Sequence, residues 1–122
     1  MLPVNPDTFA PSITTAIVLA NEPLAYRQAL ARVFQTQRPH LHVVTVEPAD
    51  LDAAVQEHAP LLVICDRLTL LVETCVAAWV LLYPGGARLV TQRLAGTDQD
   101  TDDLDLATLL AFTDLAARRA LL

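Results

Sequence analysis

Residues 61–66 read LLVICD, five apolar residues that deliver a carboxylate, Asp66, to the end of a strand-like run. A carboxylate so placed can act as a nucleophile toward a phosphoryl group, as a general base or as a metal ligand, if charged neighbours are brought to it. Other residues invite chemistry and fail simple checks. Asp98, Asp100 and Asp102 are spaced like the first ligands of a calcium-binding loop. The sixth position, however, is Asp103 where glycine is needed, and the twelfth is Leu109 where a bidentate glutamate belongs. A solvated acidic loop is expected there instead, with Asp102 or Asp103 capping a following helix. His40 and His42 alternate on an extended segment with His58 distant in sequence, and two histidines without a further ligand do not make a metal site. Cys65 and Cys75 each lie in apolar runs, which suits buried, reduced thiols better than a disulfide framework. The sequence holds no glycine-rich phosphate loop, nucleophile elbow or Cys-x-x-Cys.

The elements that must position Asp66 are legible from hydrophobic patterning. Residues 13–20, ITTAIVLA, form a β-branched run of strand length closed by Asn21-Glu22-Pro23, where Asn21 is a suitable cap and proline fits a first helical turn. In the next segment Tyr26, Leu30, Val33 and Phe34 fall on one side of a helix, with Arg27, Gln28 and Arg32 elsewhere. LHVVTV at 41–46 reads as a second strand, ADLDAAVQEH at 49–58 as a short helix stopped by Pro60, and LLVICD as a third strand. Strands alternating with helices, and apolar on both faces, describe βαβ units and a parallel sheet covered on each side.

Residues 68–83 read as a third, nearly all-apolar helix, ended by Pro84-Gly85-Gly86 before a fourth strand at 87–92. A helix without a polar face must be covered, either by the C-terminal segment or by a second subunit. Val72, Val76, Trp79, Val80, Leu82 and Tyr83 are therefore candidate interface residues, and a homodimer or a protein partner is expected. After the acidic stretch, residues 104–122 read as a C-terminal helix.

The chain has 122 residues, 53% of them hydrophobic, enough for one domain with a real core. A tail over 1–12 and a single domain over 13–122 are expected. No basic region precedes an apolar stretch at the start, and no apolar run approaches the roughly 20 residues of a membrane span. A soluble, cytoplasmic protein without membrane contact is the expectation. The formal charge of −6 is local, since five of fourteen acidic residues lie between Asp98 and Asp105. There is no basic patch and no lysine at all, so direct nucleic-acid binding is not expected.

IVLANEPLAYRQAL resembles the opening of two-component response regulator receiver domains, and EPADLDAAVQEHAPLLVICD is similar to their second helix and third strand. Asn21 and Asp66 lie 45 residues apart, in agreement with the family's spacing. The resemblance covers about residues 14–67. It implies a flavodoxin-like, doubly wound parallel sheet in strand order 2-1-3-4, with a fifth strand missing or altered because few residues follow Thr91. It also implies that Asp66 stands at the phosphoacceptor position, Ala20 and Asn21 at the acidic pair, Glu22 just beyond it, and Thr91 at the switch hydroxyl.

Such a site works by gathering Mg²⁺ on two or three carboxylates, with a lysine on the phosphoryl oxygens. Here Ala20 and Asn21 have removed those charges, no residue can match the lysine, and the loop after Asp66 lacks the family's Met-Pro-Gly turn. Asp66 is expected to persist as a strand terminus, paired with Arg67 or Arg88. The expected function is a non-catalytic signalling or regulatory module acting through protein contacts. No cofactor is implied, and Mg²⁺ enters only if the acidic site still functions. The alternatives are an active receiver phosphorylated on Asp66 and a regulatory domain that binds a small ligand at the strand ends.

Overall fold

The computed structural model describes residues 15–120. The expected N-terminal tail lies outside the described residues. In chain order the elements are β1 (Ala16–Leu19), α1 (Leu24–Gln37), β2 (His42–Thr45), α2 (Leu51–His58), β3 (Leu62–Cys65), α3 (Leu70–Cys75), β4 (Ala78–Leu82), β5 (Val90–Leu94), β6 (Thr97–Thr101) and α4 (Leu106–Ala120). They build an α/β fold around one six-stranded mixed sheet in the order β2-β1-β3-β4-β5-β6. The first four are parallel, and β5 and β6 are antiparallel additions.

Alternation along the buried strands sends side chains to two cores. Ile17, Leu19, Leu62, Ile64, Val80 and Leu82 meet Leu30 and Phe34 of α1 and Leu109, Phe112 and Ala116 of α4. Val18, Ala20, Val63, Cys65 and Trp79 meet Leu51, Ala54 and Val55 of α2 and Val72 of α3 on the other face. Helices thus cover both faces, which is why β1 and β3 read as continuous apolar runs rather than alternating ones. Caps and ion pairs tie neighbouring helices together within each layer. The Thr69 hydroxyl accepts the Val72 amide at the start of α3 and donates to Asp52 of α2 at 2.7 Å. Arg38, just past α1, donates to both oxygens of Asp114 on α4, each at 2.8 Å.

The C-terminal half corrects several expectations. Residues 68–83 do not form one helix: α3 is six residues long, and residues 78–82 are the central strand β4, parallel to β3. An apolar run without a period is equally the signature of a strand buried on both faces. Val72, Val76, Trp79, Val80 and Leu82 are accordingly buried within this chain, with Trp79 2% exposed, and only Tyr83 is half-buried. The face that was expected to need a partner is the protein's own interior.

The segment at 87–92 is not a parallel fourth strand either. Only seven residues, 83–89, separate β4 from β5, too few for the dozen or so that a parallel crossover needs, so β5 folds back antiparallel. The sheet is not truncated but extended, because residues 97–101 of the acidic stretch form β6, leaving only 102–105 as a loop. Asp105, not Asp102 or Asp103, caps α4, accepting from the Ala107 amide and the Thr108 hydroxyl. At α1 the cap position is Pro23, so Asn21 does not cap it. Cys65 is buried, and burial pushes its thiol up to about 12, whereas Cys75 is exposed at the end of α3. No helix among the described residues is long and apolar enough to cross a membrane.

Candidate functional site at the strand ends

The carboxyl ends of β1 to β4 lie side by side, the usual working edge of an open α/β sheet. The ladder runs to these ends: the Ala20 amide donates to Ile64 O at 2.8 Å, and the Val46 amide to Leu19 O at 3.0 Å. With Leu19 opposite both Thr45 and Ile64, continuing the register by two residues sets Asn21 level with Glu47 on one side and Asp66 on the other. The structure therefore brings Ala20, Asn21 and Asp66 to one edge, as the sequence suggested.

Asn21 is fully buried, and neither its amide nitrogen nor its carbonyl oxygen has a hydrogen-bond partner. Glu22, exposed beside it, is not free. Arg27, one turn into α1 and only 2% exposed, donates from Nη2 to Glu47 Oε1 at 3.0 Å, with Nη1 3.8 Å from Glu22 Oε2. A buried guanidinium thus draws the two carboxylates nearest the first two strand ends to itself. Sequence reading placed Arg27 away from the apolar side of α1 and missed this role. The signal was present, because Arg27, Leu30 and Phe34 follow the i, i+3, i+7 spacing of one helical stripe.

Asp66 is half-buried, and among the described residues its carboxylate makes no hydrogen bond or ion pair. The expected pairing with Arg67 or Arg88 is not formed, and Arg88 acts electrostatically on Asp103 instead. Asp66 and Arg67 line one wall of a cleft of about 420 Å³, and Leu81, Tyr83 and the Gly85-Gly86 turn line the other. That turn needs its glycines: φ is 62° at Gly85 and 81° at Gly86, and a Cβ at either would meet nothing, so conformation and not crowding selects them.

Thr91 lies elsewhere in the order than expected. It is on β5, opposite Leu81, and does not end a parallel strand. The hydroxyl residue that does follow β4 is Tyr83, in a left-handed conformation with φ 46°. Its phenol donates to Asp103 at 2.7 Å and accepts the Leu104 amide at 3.1 Å, so this hydroxyl is committed to the loop before α4. Burial, then the Asp103 hydrogen bond, raises the Tyr83 phenol. Neighbouring Tyr26 is raised to about 12, by burial first and then by Tyr83.

The remaining arginines do not substitute for a lysine at Asp66. Arg93 lies over the Trp79 ring at 4.8 Å and pairs with Asp98 and Glu73, and Arg119 lines the opposite end of the sheet with Pro60, Leu61 and Ala77. His42 and His58 come together, with ring centroids 5.9 Å apart, a meeting that their sequence separation did not suggest. Among the described residues, however, no group of three or more His, Cys, Asp or Glu could hold a metal ion.

No protein-family model, curated protein or solved structure matches the chain.

Proposed function

We propose that the protein is a receiver-like regulatory module that acts through protein contacts and does not carry a phosphoryl group. What supports the receiver comparison is the parallel half of the sheet: strand order 2-1-3-4, α1 on one face, α2 and α3 on the other, and Asp66 closing the third strand. The antiparallel β5 and β6 depart from that pattern. The observation that carries the non-catalytic part is the pairing of buried Arg27 with Glu22 and Glu47, next to the neutral Asn21. A divalent cation needs several anionic oxygens and sheds water reluctantly. At these strand ends the available carboxylates already answer a fixed positive charge, which repels a second cation. Asp66 on its own then lacks the charge neutralisation that phosphoryl transfer requires. The reading carries with it a cytoplasmic location, no cofactor, and a protein partner or a second copy of the chain.

Incubation with acetyl phosphate and Mg²⁺, followed by intact-mass measurement, tests the proposal. No adduct is expected, and beryllofluoride with Mg²⁺ should leave the amide resonances around Asp66 in place. A stoichiometric, hydroxylamine-labile adduct on Asp66 would overturn it in favour of an active receiver.

A second reading is favoured by the cleft itself. A carboxylate, an adjacent guanidinium and an open Gly-Gly turn around 420 Å³ could hold a small polar molecule. Under that reading the purified protein gains thermal stability from such a ligand, and Asp66→Asn removes the gain.

A further inference from the structure

We propose that the free edge of β6 binds an extended, arginine- or lysine-bearing segment of a partner protein as a seventh strand. The proposal rests on the reading of the chain as a protein-contact module and names where the contact is made.

Among the described residues the sheet ends at β6, and all five residues of that strand, Thr97 to Thr101, are exposed. The strand is regular, has no proline and pairs residue for residue with β5. Its hydrogen-bonding sides follow from the turn. Ala95 and Gly96 both have positive φ, 51° and 86°, and form a two-residue turn that closes on the hydrogen-bonded pair Leu94 and Thr97. Alternation then makes Gln92 with Gln99, and Val90 with Thr101, the other bonded pairs. The backbone N–H and C=O groups of Asp98 and Asp100 consequently point outward, away from β5, where an added strand would meet them.

Charge decides what that strand can be. Asp98 is answered by Arg93, whereas Asp100 and Asp102 have no ion-pair partner among the described residues. A second copy is a poor occupant: antiparallel pairing of two β6 edges sets Asp98 against Asp100, or Asp100 against Asp100, and like charges directly opposite destabilise a pair. Acidic edge residues guard against self-association. The same carboxylates favour a strand that carries a cation opposite Asp100, so repulsion of one partner and attraction of another arise from one feature.

A synthetic peptide alternating arginine with threonine or valine is the probe, and its counterpart with glutamate for arginine is the control. Titration of the ¹⁵N-labelled chain should shift the amides of residues 97–101 and slow hydrogen exchange at Asp98 and Asp100. Affinity should fall by about tenfold or more as salt rises from roughly 50 to 500 mM, since the contact lies at the surface. Asp100→Pro removes an outward donor while leaving the β5 ladder whole, and should abolish binding with the Gln92 and Gln99 amides still protected. Asp100→Asn keeps the backbone donor and removes only the charge, so it should weaken binding without abolishing it, and it serves if the proline variant fails to fold. The proposal is overturned if the arginine peptide does not bind, if the glutamate peptide binds equally well, if protection appears away from β6, or if the chain pairs through β6 with itself. Because the acetyl phosphate experiment reads Asp66 and this one reads β6, either can fail without the other.

Discussion

A guanidinium that is 2% exposed must find its anions within the protein, because stripping a buried charge of its partner costs about 3 to 5 kcal/mol. Arg27 finds Glu47 at 3.0 Å and Glu22 at 3.8 Å, both of which keep contact with water. Removing the closer partner, in Glu47→Ala, is expected to cost about 1 to 3 kcal/mol in urea unfolding, the lower end reflecting the solvated carboxylate. Arg27→Met fills the same volume without charge and should be close to neutral. Equal losses in the two variants would mean that the ion pair itself stabilises this edge, rather than merely sparing a buried charge from being left alone. Asn21 presents the complementary problem at this edge, an amide fully buried and without a hydrogen-bond partner. Asp66 was visible in the sequence as a carboxylate closing an apolar strand. Arg27 was not, because an arginine in a helix is ordinarily solvated and only its position in the stripe of Leu30 and Phe34 marks it as buried.

At the scale of elements, residues 68–83 separate what patterning resolves from what it does not. α1 declares itself by periodicity, and β1 and β3 by β-branched runs of strand length. Between Leu70 and Leu82 the chain is apolar almost throughout, and the choice between helix and strand is made by the neighbours. β3 offers β4 a complete parallel ladder, and both sheet faces offer burial, so Trp79, Val80 and Leu82 enter the strand. Loop length then forces β5 to return antiparallel. The turn that follows is open to test. Ala95 has φ 51° where a two-residue hairpin favours asparagine or glycine, and a left-handed alanine is strained by about 1 to 2 kcal/mol. Ala95→Asn should therefore raise stability by about 1 kcal/mol in thermal unfolding, and Gly96→Ala should lower it. A neutral outcome for both would show that the hairpin does not hold this turn in solution.

Over the whole molecule, the charge pattern predicts how stability follows pH. Hydrogen bonds from Arg93, Tyr83, Thr108 and Arg38 hold Asp98, Asp103, Asp105 and Asp114 respectively below the usual carboxylate value of 3.8. The unfolded chain takes up protons first, so this contribution is present above pH 3.8 and is lost as pH falls through the lower folded values. Denaturant midpoints should drop on acidification below 3.8, and Asp114→Asn, which removes the tie to Arg38, should flatten that drop. At the alkaline end, Tyr26 resists ionisation to about 12 when folded and to 10.0 when not, so stability should decline across that interval. Ultraviolet titration of the phenol band alongside unfolding curves checks both limbs.

Local information settled the first half of this protein. Four-residue strands that are apolar on both faces, a 3.6-residue stripe in α1 and a proline stop after α2 are properties of short segments, and they carried Asp66 to its edge without further help. Only the tertiary structure decided the second half: that β4 is a strand, that the acidic stretch forms an edge, and that Arg27 closes over the strand ends. The first and last of those outcomes depend on groups distant in sequence, β3 beside β4 and Glu47 beside Arg27, which no window of neighbouring residues contains, whereas the acidic stretch becomes an edge only because the β5 it turns back on has itself joined the sheet.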